Sequence, residues 1–276
     1  MEILFEDEAD FRFAMNLVAF CTWQTKGVIV LTFEIMKNHL HLVLSGDRAR
    51  ILEWFSLFKR RLQRYLVDKG VVKNLSRFEA SLFPIDNLET LRNTIAYVNR
   101  NGYLVDARYT PFSYPWGANR FFCNPDIPFL QGTRYGDLTF REKRQLFRSH
   151  AIDYPDDHLV VDGYILPTSY CNLAMAERMF QSARSYFFLL SRNVEVYRSI
   201  AAQLGDLVYY TDDELFLVVR QLCKDDYGNS RPATLPKDAK LEIAKKMHFD
   251  YQAGNKQIQR MLRLEERDLI ALFGRK

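Results

Sequence analysis

Residues 39–44 read His-Leu-His-Leu-Val-Leu, and so strict an alternation fits a strand, in which side chains at i and i+2 point the same way. The run before it, Gly27 to Ile35 (GVIVLTFEI), is apolar and β-branched, and Met36-Lys37-Asn38 turns the chain. Together they predict an antiparallel hairpin ending at Ser45-Gly46-Asp47. Leu40, Leu42 and Leu44 form its natural core face. His39 and His41 share the opposite face, about 7 Å apart along the backbone. They are either two surface histidines or two imidazoles able to share one divalent metal. The chain has only five histidines, which gives this pairing its weight.

The flanking segments read as helices. Phe11, Met15, Leu17, Val18 and Cys21 are spaced for a helix over 9–24. A longer one is expected over 48–69, with the stripe Ile51, Phe55, Phe58, Leu62, Tyr65 and with Gly70 just beyond its end. Residues 71–84 contain β-type runs. Asp86 or Asn87 then caps a helix closed by Gly102, with the stripe Leu88, Leu91, Ile95, Val98. Tyr97 and Asn101, four residues apart, lie off that stripe on one polar face with Thr90 and Asn93. Set against the histidine strand, this face offers a phenolic hydroxyl and an amide oxygen, a nucleophile and a third ligand for metal-assisted phosphodiester transfer. With 15 tyrosines in the chain, Tyr97 is equally a core or boundary aromatic.

Downstream, residues 103–136 form an irregular segment holding Pro111, Pro115, Pro125 and Pro128 among many aromatics. Phe140 to Leu222 reads as helical with breaks at Pro155 and Pro167. Residues 224–237 (KDDYGNSRPATLPK) read as a linker, and three helical pieces over 238–250, 255–262 and 265–273 allow a helix-turn-helix. The expected domains are therefore 1–125, a helical extension 126–223, the linker 224–237 and a small helical module 238–276.

Composition narrows the function. Twelve glycines are too few to suggest glycine-rich phosphate loops, so no nucleotide cofactor is expected. The four cysteines have no short spacing, which excludes a cysteine zinc site and fits a reducing cytoplasm. No apolar run is long enough to span a membrane, and the acidic start lacks the basic segment of a leader. Charge is concentrated. Residues 47–77 carry nine Lys/Arg against three acids and residues 237–276 ten against six, while the whole chain is only +4. Two basic islands on an otherwise acidic chain are either a polyanion footprint or two solvated helix faces.

Four motifs, in order, carry a resemblance. Met36-Lys37-Asn38-His39-Leu40-His41-Leu42 resembles the Met-Pro-Asn-His-hydrophobic-His-Leu segment of single-tyrosine HUH transposases, closest to the REP-associated tyrosine transposases. The basic helix with FKRRLQRY follows, as in that family. Tyr97-Val98-Asn99-Arg100-Asn101-Gly102 is similar to its Tyr-Ile-x-x-Asn-Pro, and Tyr114-Pro115-Trp116-Gly117-Ala118 to its Tyr-Pro-Trp-Ser-Ser. The likeness covers residues 3–120. Gly102 stands for the family's proline, Gly117 and Ala118 for its serines, and the strand the family carries before Leu4-Phe5 is absent: either a sheet edge is open, or the start codon is misassigned, or another segment substitutes.

The resemblance implies an α+β fold, an antiparallel sheet with packed helices (a ferredoxin-like HUH palm), followed by an all-α C-terminal extension. It implies a transposase-type endonuclease and strand transferase on single-stranded or hairpin DNA, in the cytoplasm with the nucleoid. Tyr97 would be the nucleophile, and His39, His41 and Asn101 would hold Mg²⁺ or Mn²⁺. Arg48, Lys59, Arg60, Arg61 and Arg64 would contact DNA, with Lys256, Arg260, Arg263 and Arg267 a second contact. Tyr114 and Trp116 are candidates for base stacking, Trp116 more readily for core packing. A homodimer exchanging the tyrosine helix is a family option. Two alternatives stand beside this: a domesticated binder of structured DNA that no longer cuts, and another HUH nuclease such as a replication initiator. A histidine-triad hydrolase is excluded, because the next alternating position is Val43.

Overall fold

A helix apolar on every side has to be enclosed on every side. That is the place of α1 (Glu8–Gln24), whose residues from Asp10 to Cys21 are buried but for Arg12. Asp7 caps it: its side chain accepts from Asp10 N–H at 3.0 Å, and Asp10 reaches back to Asp7 N–H. The computed structural model describes residues 3–71, 75–104, 108–110, 112–150, 152–192, 194–204 and 210–274. Lys73 of the first basic island, Pro111, Arg275 and Lys276 lie outside the described residues. The chain is mixed α+β with small antiparallel sheets and many helices, in two units, residues 1–192 and 193–276.

In the first unit, β1 (Ile29–Ile35) and β2 (Leu40–Ser45) form the expected antiparallel hairpin, with Glu34 opposite His41 and a register shift between Val30 and Thr32. The face assignment differs from the expectation in that the histidine face is covered too. Val43, in phase with His39 and His41, is buried, whereas Leu40, Leu42 and Leu44 are only half-buried. Both faces of the hairpin are covered, since Phe33 and Ile35, opposite Leu42 and Leu40, are fully buried as well. The far edge of β1 is not left open. Ile35 N–H donates to Trp116 O at 2.8 Å, Ala118 N–H to Phe33 O at 3.0 Å and Asn172 N–H to Val30 O at 2.8 Å. Residues 116–118 and 171–172 thus occupy the second edge of β1.

α2 (Arg48–Asp68) buries Trp54, Phe58, Leu62, Tyr65 and Leu66, with Ile51 and Phe55 half-buried. It is fastened to α1 at its C-terminal end, where Tyr65 hydroxyl and Lys69 Nζ both donate to Asp10 Oδ1 at 2.7 Å. The β-type runs expected over 71–84 form no strand among the described residues, only a 3-10 turn at 75–77. α3 (Leu88–Leu104) runs past Gly102 instead of stopping there, because that glycine answers to packing rather than to a cap.

The extension is not all-helical as expected. β3 (Thr133–Arg134), α4 (Phe140–Phe147), β4 (Leu159–Val161) and β5 (Tyr164–Ile165) place a three-stranded antiparallel sheet within it. Its register is held by α1, where buried Asn16 accepts from Ile165 N–H at 2.9 Å and donates to Gly163 O at 3.0 Å. α5 (Leu173–Glu177) and α6 (Ala183–Arg192) complete the unit.

The second unit holds α7 (Val194–Leu204), α8 (Asp212–Tyr227), α9 (Lys237–Phe249), α10 (Asn255–Leu262) and α11 (Glu266–Phe273). The expected linker 224–237 is not free chain. Lys224–Tyr227 finish α8, Gly228 closes it at φ +66°, and Leu235 joins Val219, Ile243, Met247, Ile258 and Leu262 in the core. The last three helices match the expected helix-turn-helix pieces to within a residue or two. Among the described residues no helix is long and apolar enough to cross a membrane.

Candidate metal and nucleophile site

β2 alternates, so His39 and His41 project together, and their Nε2 atoms come within 3.1 Å. His39 Nδ1 lies 2.8 Å from Asn38 Oδ1, and the Nε2–Nε2 contact places a proton on one of the two facing nitrogens in the metal-free protein. Two nitrogen ligands at about 2.1 Å from one ion, at right angles, stand about 3 Å apart. The imidazole pair therefore has a spacing that suits one divalent ion.

α3 packs on both strands of the hairpin. Its rotation is set by a buried polar network with no sequence signature, because its members lie far apart in the chain. Asn99 pairs with Thr32 Oγ1 on β1, donates to Tyr186 hydroxyl on α6 at 2.7 Å, and offers its carbonyl to Asn119 Nδ2 at 2.8 Å; Tyr186 hydroxyl donates on to Asn119 Oδ1. With Asn99 turned to β1, Tyr97 meets His41 edge-on, ring centroids 5.8 Å apart at 69°. Asn101 follows one turn later on the same face, buried, with its Nδ2 lacking a hydrogen-bond partner among the described residues. A buried amide end without a partner is unusual, and since amide nitrogen and oxygen exchange by a flip, that end can equally present oxygen. The two imidazoles have a donor set and spacing that suit a divalent cation, and the buried amide of Asn101 lies on the helix face that carries Tyr97. Among the described residues no three His, Cys, Asp or Glu side chains come together.

Tyr97 is only 1% exposed. The polar stripe expected on α3 is largely interior: Asn93, Tyr97 and Asn101 are all buried, while Leu88, expected in the apolar stripe, is exposed. Tyr114 and Trp116 are buried as well and are not stacking platforms. Trp116 lies on Phe11 with centroids 5.2 Å apart, and Tyr114 hydroxyl donates to Ile35 O at 2.6 Å.

Glu34 escaped the sequence reading, although a lone carboxylate in an otherwise apolar strand run was the signal for it. It is fully buried, its Oε2 accepts from Gly102 N–H of α3, and its Oε1 has no partner among the described residues. Burial pushes its carboxyl well above the usual range, against a lowering by the Gly102 N–H.

The basic residues separate into groups. Arg48, Arg60 and Arg64 are exposed and Lys59 is half-buried on α2. Arg61 instead lays its guanidinium over the Phe20 ring, 4.0 Å from the centroid, so it packs α2 on α1 rather than facing outward. In the second unit Lys256, Arg260, Arg263 and Arg267 are all exposed. Arg260 is committed to Asp212 by two contacts of 3.1 and 2.6 Å, and Arg267 pairs with Glu265 at 2.6 Å. Arg263 closes α10 at φ +54°.

Comparison with known protein families, with characterised proteins and with solved structures returns no match.

Proposed function

We propose that this chain is a single-tyrosine HUH nuclease and strand transferase of single-stranded or hairpin DNA, of the REP-associated tyrosine transposase kind, built on an HUH palm. The observation that carries the proposal is the approach of His39 and His41 Nε2 to 3.1 Å beside a helix whose Tyr97 ring lies 5.8 Å from that of His41. In this reading His39, His41 and Asn101 hold Mg²⁺ or Mn²⁺. When bound, the ion supplies positive charge at a non-bridging oxygen of the scissile phosphate. Imidazole nitrogen suits Mn²⁺ better than Mg²⁺.

Tyr97 attacks phosphorus through its phenolic oxygen. The tyrosyl O–P bond forms as the P–O3′ bond breaks, the phenolic proton passes to solvent, and the departing oxygen takes a proton to become a free 3′-OH. The phosphodiester energy stays in the 5′-phosphotyrosyl bond, so rejoining to a 3′-OH needs no nucleotide cofactor. Arg48, Lys59, Arg60 and Arg64 contact the DNA backbone. A second copy of the chain, exchanging α3, and a place with the nucleoid in the cytoplasm belong to the same reading.

One observation favours a second reading. A nucleophile 1% exposed cannot meet a phosphate unless its cover opens, and a fold that keeps it closed is a binder of structured DNA that does not cut. Single-stranded oligonucleotides bearing short hairpins from the DNA flanking the gene separate the two. With Mn²⁺, a covalent protein–DNA band on a denaturing gel, absent with EDTA and with Tyr97→Phe, supports the nuclease. Hairpin binding without metal and without that band supports the binder.

A further inference from the structure

Glu34 is the last residue but one of β1 and lies directly across from His41, so both side chains leave the hairpin on the same face. Its stem runs through a narrow slot. A Cβ at Gly117 would come within 2.7 Å of Glu34 Cγ and 2.8 Å of Phe33 O, so the 116–118 segment lies close on one side of it. On the other side Glu34 Oε2 takes the N–H of Gly102, the residue after Asn101. The remaining oxygen has no partner among the described residues, and the side chain is 0% exposed. A carboxyl group enclosed this way is unfavourable where an apolar side chain would fill the strand. What it does here is join the two elements that supply the site, because its one hydrogen bond ties β1 to the peptide next to Asn101. It is not itself grouped with the two histidines as a ligand, since no three such side chains come together among the described residues.

We propose that Glu34 is a positioning residue for the metal site: its carboxyl holds the Asn101–Gly102 turn of α3 in register with His39 and His41. The inference rests on the metal-dependent reading above, and two measurements keep the failure of one distinct from the failure of the other. The first is amide hydrogen exchange at Gly102 in the metal-free full-length protein. It should accelerate at least about tenfold in Glu34→Ala and return towards the wild-type rate in Glu34→Gln, which keeps an acceptor oxygen. The second is Mn²⁺ binding by calorimetry. Glu34→Ala should lose about 10–100-fold in affinity while Glu34→Gln stays within about threefold, with His39→Ala as the ligand-loss control.

Unchanged Gly102 exchange in Glu34→Ala overturns the proposal, as does Mn²⁺ affinity equal to wild type in that variant. A Glu34→Gln protein that loses as much affinity as Glu34→Ala also overturns it, since the negative charge rather than the hydrogen bond would then matter. If Glu34→Ala does not fold, Glu34→Gln decides: retained slow exchange and retained affinity support the proposal, and loss of either refutes it. A wild-type protein with slow Gly102 exchange that binds no Mn²⁺ defeats the metal reading, and the site role of Glu34 with it, while leaving the tether between β1 and α3 intact.

Discussion

The ring of Tyr114 stands in the space that a side chain at Gly102 would fill. Tyr114 is itself buried, and its hydroxyl is bonded to Ile35 O at 2.6 Å, so the ring cannot withdraw to make room. A glycine in a helix interior is ordinarily a cost; at this position it is what lets the 114–116 segment lie against α3. Gly102→Ala should therefore destabilise the protein by about 1–3 kcal/mol, the usual range for overpacking. Gly102→Pro should be worse, because it also deletes the N–H that Glu34 accepts. Urea unfolding midpoints check both, and an alanine variant as stable as wild type would show that the ring moves aside.

The clasp between α1 and α2 makes stability depend on pH. Burial pushes the Asp10 carboxyl up, but the Lys69 ammonium, the Glu6 N–H and the Tyr65 hydroxyl outweigh it and leave Asp10 below its ordinary 3.8. Lys69, hydrogen-bonded to Asp10 and Asp7, is held above its ordinary value against the opposing effect of burial. A carboxyl lowered on folding binds fewer protons in the folded state, so its contribution is present above pH 3.8 and is lost as pH falls through the folded value. Asp10→Asn should lower stability by about 2 kcal/mol at pH 7 and flatten the acid limb of a thermal-midpoint-against-pH curve. An acid limb of unchanged slope would place the titration elsewhere.

Arg61 and its neighbours Arg60 and Arg64 should part company on mutation. Arg60→Ala and Arg64→Ala face solvent, and each should weaken DNA binding while reducing the slope of log affinity against log salt by about 0.7–0.9. Arg61→Ala should instead lower the unfolding midpoint, by about 1 kcal/mol for a cation over an aromatic face, and leave the salt slope nearly unchanged. Fluorescence anisotropy across a salt series, run beside thermal melts, tells the two effects apart; equal slopes for all three variants would contradict the assignment.

Arg263 offers a clean probe of the second basic island. At φ +54° it occupies a backbone conformation that glycine adopts without strain. Arg263→Gly should keep or raise stability by up to about 1 kcal/mol while removing one exposed cation. Any loss of DNA affinity then reports the charge alone. Arg260→Ala is the contrast, because it releases Asp212 at the start of α8. If Arg263→Gly melts lower than wild type, the arginine side chain holds a packing role.

The hairpin, α1, α2, α3 and the three C-terminal helices were legible in the chain because their signals are local: alternation at 39–44, helical spacing of apolar residues, and a capping residue at hand. The same locality made the pairing of His39 with His41 readable, since a strand alone brings i and i+2 together. What period-two logic cannot assign is whether one face or both are covered. The leucines looked like the core face, yet α3 covers the histidines, because enclosure depends on what else packs there. Gly102 read as a helix end for the same reason. Its signal is identical whether a glycine serves a cap or an approaching ring 12 residues away. The β3–β5 sheet was missed because its strands are two or three residues long and carry too little pattern.

The sequence by itself determined the residue types of the site and their positions along each element: two imidazoles on one strand, and a phenol and an amide one turn apart on one helix. Only the tertiary structure decided their relation. The contacts that orient α3 run from Thr32 to Asn99, from Asn99 to Tyr186 and Asn119, and from Glu34 to Gly102. Each joins residues 20 to 87 positions apart, where no periodicity reaches. The physical reason is that a buried polar group must find its partner wherever the chain brings one. That requirement, rather than local propensity, sets the rotation of α3 that brings Tyr97 against His41 and buries it.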